Sequence, residues 1–175
     1  EEALVEAARA ISELTHFDPD AGDACVLWSD AIRHAVLTAE LDVRVGLRHL
    51  DPGRRELWSE RLDVAEASRP ADIARNGWTV AALQAAWSAI VLTAPGPDVP
   101  RADHLRLGLD AAVRAGDDTD TVAAIAGGLL GAAYGASAVP LEWRVRLHGW
   151  PWLRAHDLVN LASAIARGGK PDLFD

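Results

Sequence analysis

Methionine is absent from this 175-residue sequence, and cysteine and tyrosine occur once each. The lone cysteine, Cys25, excludes an internal disulfide and fits a reducing cytoplasm. With Glu1 in first place and no methionine, the chain is not expected to begin at a translation start, and no signal-peptide pattern opens it. Lysine is nearly missing: Lys170 stands alone against sixteen arginines. That Lys-poor, Ala/Arg-rich bias points to a GC-rich bacterial source. Positive charge is scarce as a whole, and the net charge of −9 argues against nucleic-acid binding through a basic surface. Long hydrophobic runs are lacking too. The stretch from Val122 to Ala136 is Gly/Ala-rich, too short and too weakly hydrophobic for a bilayer span, so no membrane partner is expected.

Half of the residues are hydrophobic, which is enough for one folded domain with a real core. Apolar residues recur at helical spacing along the chain, and no segment alternates with period two for long. The expected fold is therefore all-α, a compact multi-helix bundle. Leu4, Ala7, Ala8, Ile11 and Leu14 mark a first helix over 1–14, and a second runs over 20–39. A short helix is expected over 42–50. A charged helix over 54–67, with Pro52 in its first turn, should lie on the surface. A short segment opened by Pro70 ends at Asn76-Gly77. An apolar helix over 78–93 buries Val80, Leu83, Trp87, Ile90 and Val91. Three prolines make 94–100 a loop. Asp103 caps a helix to Ala115. A Gly/Ala-rich helix over 119–134 should be central to the bundle. Pro140 opens a short helix ending near Gly149, Pro151 opens the last one, and 170–175 is a frayed tail. Trp28, Trp58, Trp87, Trp143, Trp150 and Trp152 read as core or edge packing.

The most informative stretch is Ala115-Gly116-Asp117-Asp118-Thr119-Asp120-Thr121, followed by Val122-Ala123-Ala124-Ile125-Ala126-Gly127-Gly128. Gly116 ends the preceding helix as a C′ glycine, and the Asp/Thr cluster opens the next. One reading is an N-cap and nothing more. The other is a metal-ligating cluster. A cap needs one or two oxygens, and this cluster offers more. Several anionic groups packed together repel unless a cation sits among them. Oxygen ligands of this kind suit magnesium or manganese, not zinc.

The segment from Gly116 to Gly128, with Tyr134-Gly135, Pro140 and Trp143 after it, resembles the C-terminal motif of the ADP-ribosylglycohydrolases. That family includes the dinitrogenase reductase-activating glycohydrolases. The resemblance implies that Asp118, Asp120 and Thr121 hold a pair of Mg2+ or Mn2+ ions. Asp117 would be their neighbour, at a place where many members carry Gly. Thr15-His16-Phe17-Asp18-Pro19 is similar to a second family element. It makes His16 a substrate-contact candidate, against the alternative of a surface or capping histidine. Thr15 would help to hold that turn, and Asp18 and Asp20 read as turn and cap residues. Asn76-Gly77-Trp78-Thr79-Val80-Ala81-Ala82-Leu83 resembles a third, in which Trp78 either lines the adenosine or ribose pocket or anchors the helix start. His34, His49, His104, His148 and His156 show no metal-ligand spacing, and neither Ser29 nor Cys25 has a base nearby in sequence.

The resemblance runs from about Glu2 to Trp152 but covers the C-terminal part of the family domain only. The family's N-terminal Thr-Asp-Asp-Thr element and its Asn-Gly loop are not found in the chain. Residues 1–175 are therefore expected to be the C-terminal part of a single domain and inactive alone. The resemblance implies a metal-dependent hydrolase. It would cleave the glycosidic bond of ADP-ribose attached to a protein side chain, arginine first among the candidates, and would take ADP-ribosylated protein or ADP-ribose as its partner. The catalytic acid and base are unknown. The rival readings are a catalytically silent or purely structural all-α protein, and another divalent-metal hydrolase acting on ADP-ribose derivatives or phosphates.

Overall fold

The computed structural model of the chain describes residues 1–96 and 100–169. Part of the expected loop over 94–100 and the expected tail over 170–175 lie outside the described residues. The chain divides into two units, 1–138 and 139–175.

The first unit is a bundle of six α-helices: α1 (Glu2–Glu13), α2 (Pro19–Thr38), α3 (Pro52–Ala67), α4 (Thr79–Leu92), α5 (Arg101–Val113) and α6 (Thr119–Tyr134). Short 3-10 segments at Arg44–His49, Pro70–Asp72 and Ala136–Ala138 join or follow them. Local chemistry sets the boundaries. Asp18 caps α2, its carboxylate accepting the Asp20 N–H at 2.8 Å, and Pro19 occupies the first helical position. Thus Asp18 is a cap as expected. Asp20 does more, because Arg54 and Arg61 both donate to its carboxylate and draw its pKa down, Arg61 most strongly. Asp103 does not cap α5. That helix starts at Arg101 after Pro100, with no side-chain cap.

The centre of the unit is α4, not the Gly/Ala-rich α6. Val80 to Leu83 and Ala85 to Ile90 are buried, and α4 packs against α2, α3, α5 and α6. Helix α6 buries one stripe, Val122, Ala126, Leu129 and Leu130. Its small residues serve close approach to a neighbour instead of burial on all sides. A Cβ on Gly108 of α5 would stand 2.8 Å from the Leu130 side chain, so α5 and α6 meet there at glycine distance. The charged α3 is exposed along most of its length, yet buries Trp58, Leu62 and Ala65 against its neighbours. In α1 the inward edge is Leu4, Val5, Ala8 and Ser12. Ile11 and Leu14 point to solvent, because α2 covers only one side of this helix.

Polar groups stitch the helices. Buried Asp23 of α2 accepts from Arg9 of α1 at 2.7 Å, from Arg54 of α3 at 2.6 Å and from the Trp58 indole at 3.2 Å. Buried His104 of α5 lies 2.8 Å from the Ile90 carbonyl of α4 and 2.7 Å from the Tyr134 hydroxyl of α6. The Ile90 carbonyl accepts the Nε2 proton, which leaves Nδ1 to accept from Tyr134.

The second unit contains α7 (Leu141–Arg144), a two-residue antiparallel pair β1 (His148–Gly149) and β2 (Leu153–Arg154), and α8 (Ala155–Ala166). Two expectations are corrected here. The helix after Pro140 lasts four residues, and Pro151 lies in the turn of the hairpin and opens no helix. The last helix starts four residues later, where the Arg154 N–H is capped by Asp157 at 2.7 Å. Trp150 and Trp152 are 91% and 90% exposed at that turn, so they pack in no core. Trp58 and Trp87 are buried as expected. With so little strand the fold is all-α, and no described helix is long and apolar enough to cross a membrane.

Candidate metal-anchoring site at the start of helix α6

Two tight turns meet at the head of α6. The first is Arg75-Asn76-Gly77-Trp78, closed by a Trp78 N–H to Arg75 carbonyl bond of 2.9 Å and leading into α4. The second is Gly116-Asp117-Asp118, leading into α6. Both turns need left-handed backbone, with φ of +58° at Arg75, +84° at Gly116 and +57° at Asp117. Asp tolerates that region better than most residues, and Gly tolerates it best. This gives a physical reason for a glycine preference at position 117.

Asn76 joins the turns. It is 1% exposed. Its Nδ2 donates to the Gly116 carbonyl at 2.9 Å, and its Oδ1 accepts the Asp118 N–H at 2.9 Å. Gly77 faces the Asp118 side chain closely enough that an added Cβ would sit 3.6 Å from Asp118 Oδ2. The turn that holds Trp78 therefore lies against Asp118. Trp78 itself is half exposed, and the Arg61 guanidinium sits 5.9 Å over its ring and 4.9 Å over that of Trp58.

Asp118 occupies the N-cap position of α6, but its side chain makes no capping hydrogen bond. Asp120 and Thr121 follow in the first turn, where the helix dipole favours negative charge. The Asp118 side chain lies within hydrogen-bond reach of Asp120. It holds the Asp120 carboxyl below the usual carboxylate range, with help from the backbone N–H groups of Asp120 and Thr121. Among the described residues no ion pair reaches either carboxylate. Two carboxyl groups at such a distance share a proton or a cation. The donor set is two carboxylates and one hydroxyl, all hard oxygens. Among the described residues there is no cluster of three or more His, Cys, Asp or Glu that could hold a metal. Hard oxygens of this kind suit a Mg2+- or Mn2+-class ion, and two carboxylates with one hydroxyl fill only part of its six positions.

His16 is not joined to this site by any hydrogen bond or ion pair among the described residues. It is exposed in the α1–α2 loop, its Nδ1 2.9 Å from Thr15 Oγ1. A recess of about 210 Å3 opens between α2, α4 and α6, lined by Ala24, Cys25, Trp28, Ser29, Thr79, Leu83 and Ile125. Thr79 follows Trp78, and Ile125 stands one turn beyond Thr121. The larger recess of about 370 Å3 belongs to the second unit and contains none of the expected site residues. The sequence places Asn76 at the end of the segment opened by Pro70 and at the start of the third family-like element, with no site role, and Arg61 on a charged surface helix. The signal for Asn76 was the Asn-Gly pair at the head of the most apolar helix.

The sequence profile of the ADP-ribosylglycohydrolase family matches residues 1–171. The chain belongs to that family. Among curated relatives, human ADP-ribosylhydrolase ARH3 is 33% identical over 96 residues, a stretch covering 52% of this chain and 26% of ARH3. The chain thus spans about a quarter of the length of the relative it matches. No solved structure matches.

Proposed function

We propose that this ADP-ribosylglycohydrolase chain supplies the metal-anchoring side of a hydrolase that cleaves ADP-ribose from a protein side chain. Family membership supports the hydrolase reading, and members generally bind divalent metals. The observation that carries the site is Asp118, an N-cap residue whose carboxyl is not spent on capping and instead lies beside Asp120. Asp118, Asp120 and Thr121 would hold Mg2+ or Mn2+, two ions by family resemblance. When bound, such ions polarise ribose hydroxyls and lower the pKa of a water. The chain's own part is to fix those oxygens on the rigid first turn of α6. Trp78, half exposed beside the same turn, offers a stacking face for the nucleoside, and the exposed His16 offers a donor for ribose or phosphate. The substrate read first is ADP-ribosylated arginine, in a reducing cytoplasm that keeps Cys25 free. Residues 1–175 form the C-terminal part of the catalytic domain in this reading.

The test is release of free ADP-ribose from arginine- and serine-linked ADP-ribosyl proteins by the natural protein carrying this chain. Mg2+ should be required, with the arginine linkage cleaved faster. Equal release after chelation would contradict the metal-dependent reading. No release from either linkage would favour a catalytically silent member.

A further inference from the structure

We propose that Asn76 is a positioning residue for Asp118, setting the metal affinity of the site without touching the ion; this rests on the metal reading of Asp118 given above. Asn76 is buried, and its side-chain amide is used on both sides. It donates to Gly116 and accepts from Asp118, bracketing the left-handed Gly116-Asp117 pair at 2.9 Å each way. The bonds cross 40 and 42 residues of sequence, so they tie the head of α4 to the head of α6.

The geometry gives the amide a specific task. Left-handed backbone at two successive residues is costly for the Asp and leaves the loop other conformations to visit. Hydrogen bonds at both ends of the Gly116–Asp118 segment remove that freedom. They fix the Asp118 backbone, and the Asp118 carboxyl lies over the side of Gly77 where an added Cβ would stand 3.6 Å from its Oδ2. Asp118 lacks the capping bond that would otherwise hold its side chain. Its direction therefore depends on the Asn76–Gly77 turn. A ligand oxygen must be held within a fraction of an ångström, and residues behind metal ligands commonly change metal affinity about 10–100-fold when removed.

The experiment titrates Mn2+ into the natural full-length protein and its Asn76→Ala and Asn76→Ser variants, with thermal melting in chelator and in saturating Mn2+. The parent is read first. If it binds no Mn2+, the metal reading itself falls, and this inference with it. With a binding parent, Asn76→Ala should weaken Mn2+ about 10–100-fold. Asn76→Ser should lose less, since its hydroxyl and one admitted water replace part of the amide. ADP-ribose release should recover towards the parental kcat at saturating Mn2+, the deficit appearing in the metal requirement. Asn76→Ser serves if Asn76→Ala does not fold. A folded variant with lowered metal-free melting but parental Mn2+ affinity would overturn the proposal, since a merely structural asparagine predicts that result.

Discussion

Asp118 and Asn76 show how the role of a residue depends on what its backbone already has. An N-cap aspartate ordinarily contributes about 1 kcal/mol through its carboxylate. At the head of α6 the Asp118 carboxylate makes no such bond, while its N–H is satisfied by Asn76. Asp118→Ala should therefore leave the metal-free stability nearly unchanged, within about 0.5 kcal/mol. A loss of about 1 kcal/mol or more would return the residue to the cap reading. The Asp/Thr cluster was legible in the sequence because its chemistry is contiguous. Asn76 was not, because its meaning lies in a contact some 40 residues away. His16 was read through family resemblance alone, and its ring bonds the neighbouring Thr15 hydroxyl.

At the scale of elements, helices set by caps, prolines and glycines fell close to their expected bounds, α2 and α6 above all. The departures have physical causes. The hairpin over 148–154 has two residues per strand, too few for a period-two pattern to register. The central place of α4 follows from its apolar residues on every side, whereas the glycines of α6 allow contact without demanding burial. His104 is the polar tie at this junction of α4, α5 and α6. Burial pulls its pKa below the ordinary histidine value, outweighing the opposing pull of the Ile90 carbonyl. The unfolded chain then takes up a proton near pH 6.5 that the folded chain resists. Stability should therefore fall as the pH drops below that value. Thermal midpoints measured from pH 7.5 to 5.5 should decline, and His104→Gln, which keeps a donor for Ile90 but does not titrate, should flatten the decline. An unchanged slope in the variant would remove His104 from the account.

For the whole molecule, family membership and the all-α bundle agree, and the part of the account that carries function sits in a few residues at one helix start. The chain also leaves apolar side chains in solvent, among them Ile11, Leu14 and Phe17 in the first unit and Trp150, Trp152 and Ile165 in the second. The central claim is that Asp118, Asp120 and Thr121 anchor a divalent ion. The most direct measurement is calorimetric titration of Mn2+ into the natural protein and its Asp120→Asn variant, which keeps the shape of the side chain and removes its charge. The account predicts measurable binding by the parent and a loss of about 100-fold or more in the variant, since a liganding charge is removed outright and not merely displaced. Equal Mn2+ affinity in the two proteins would contradict it.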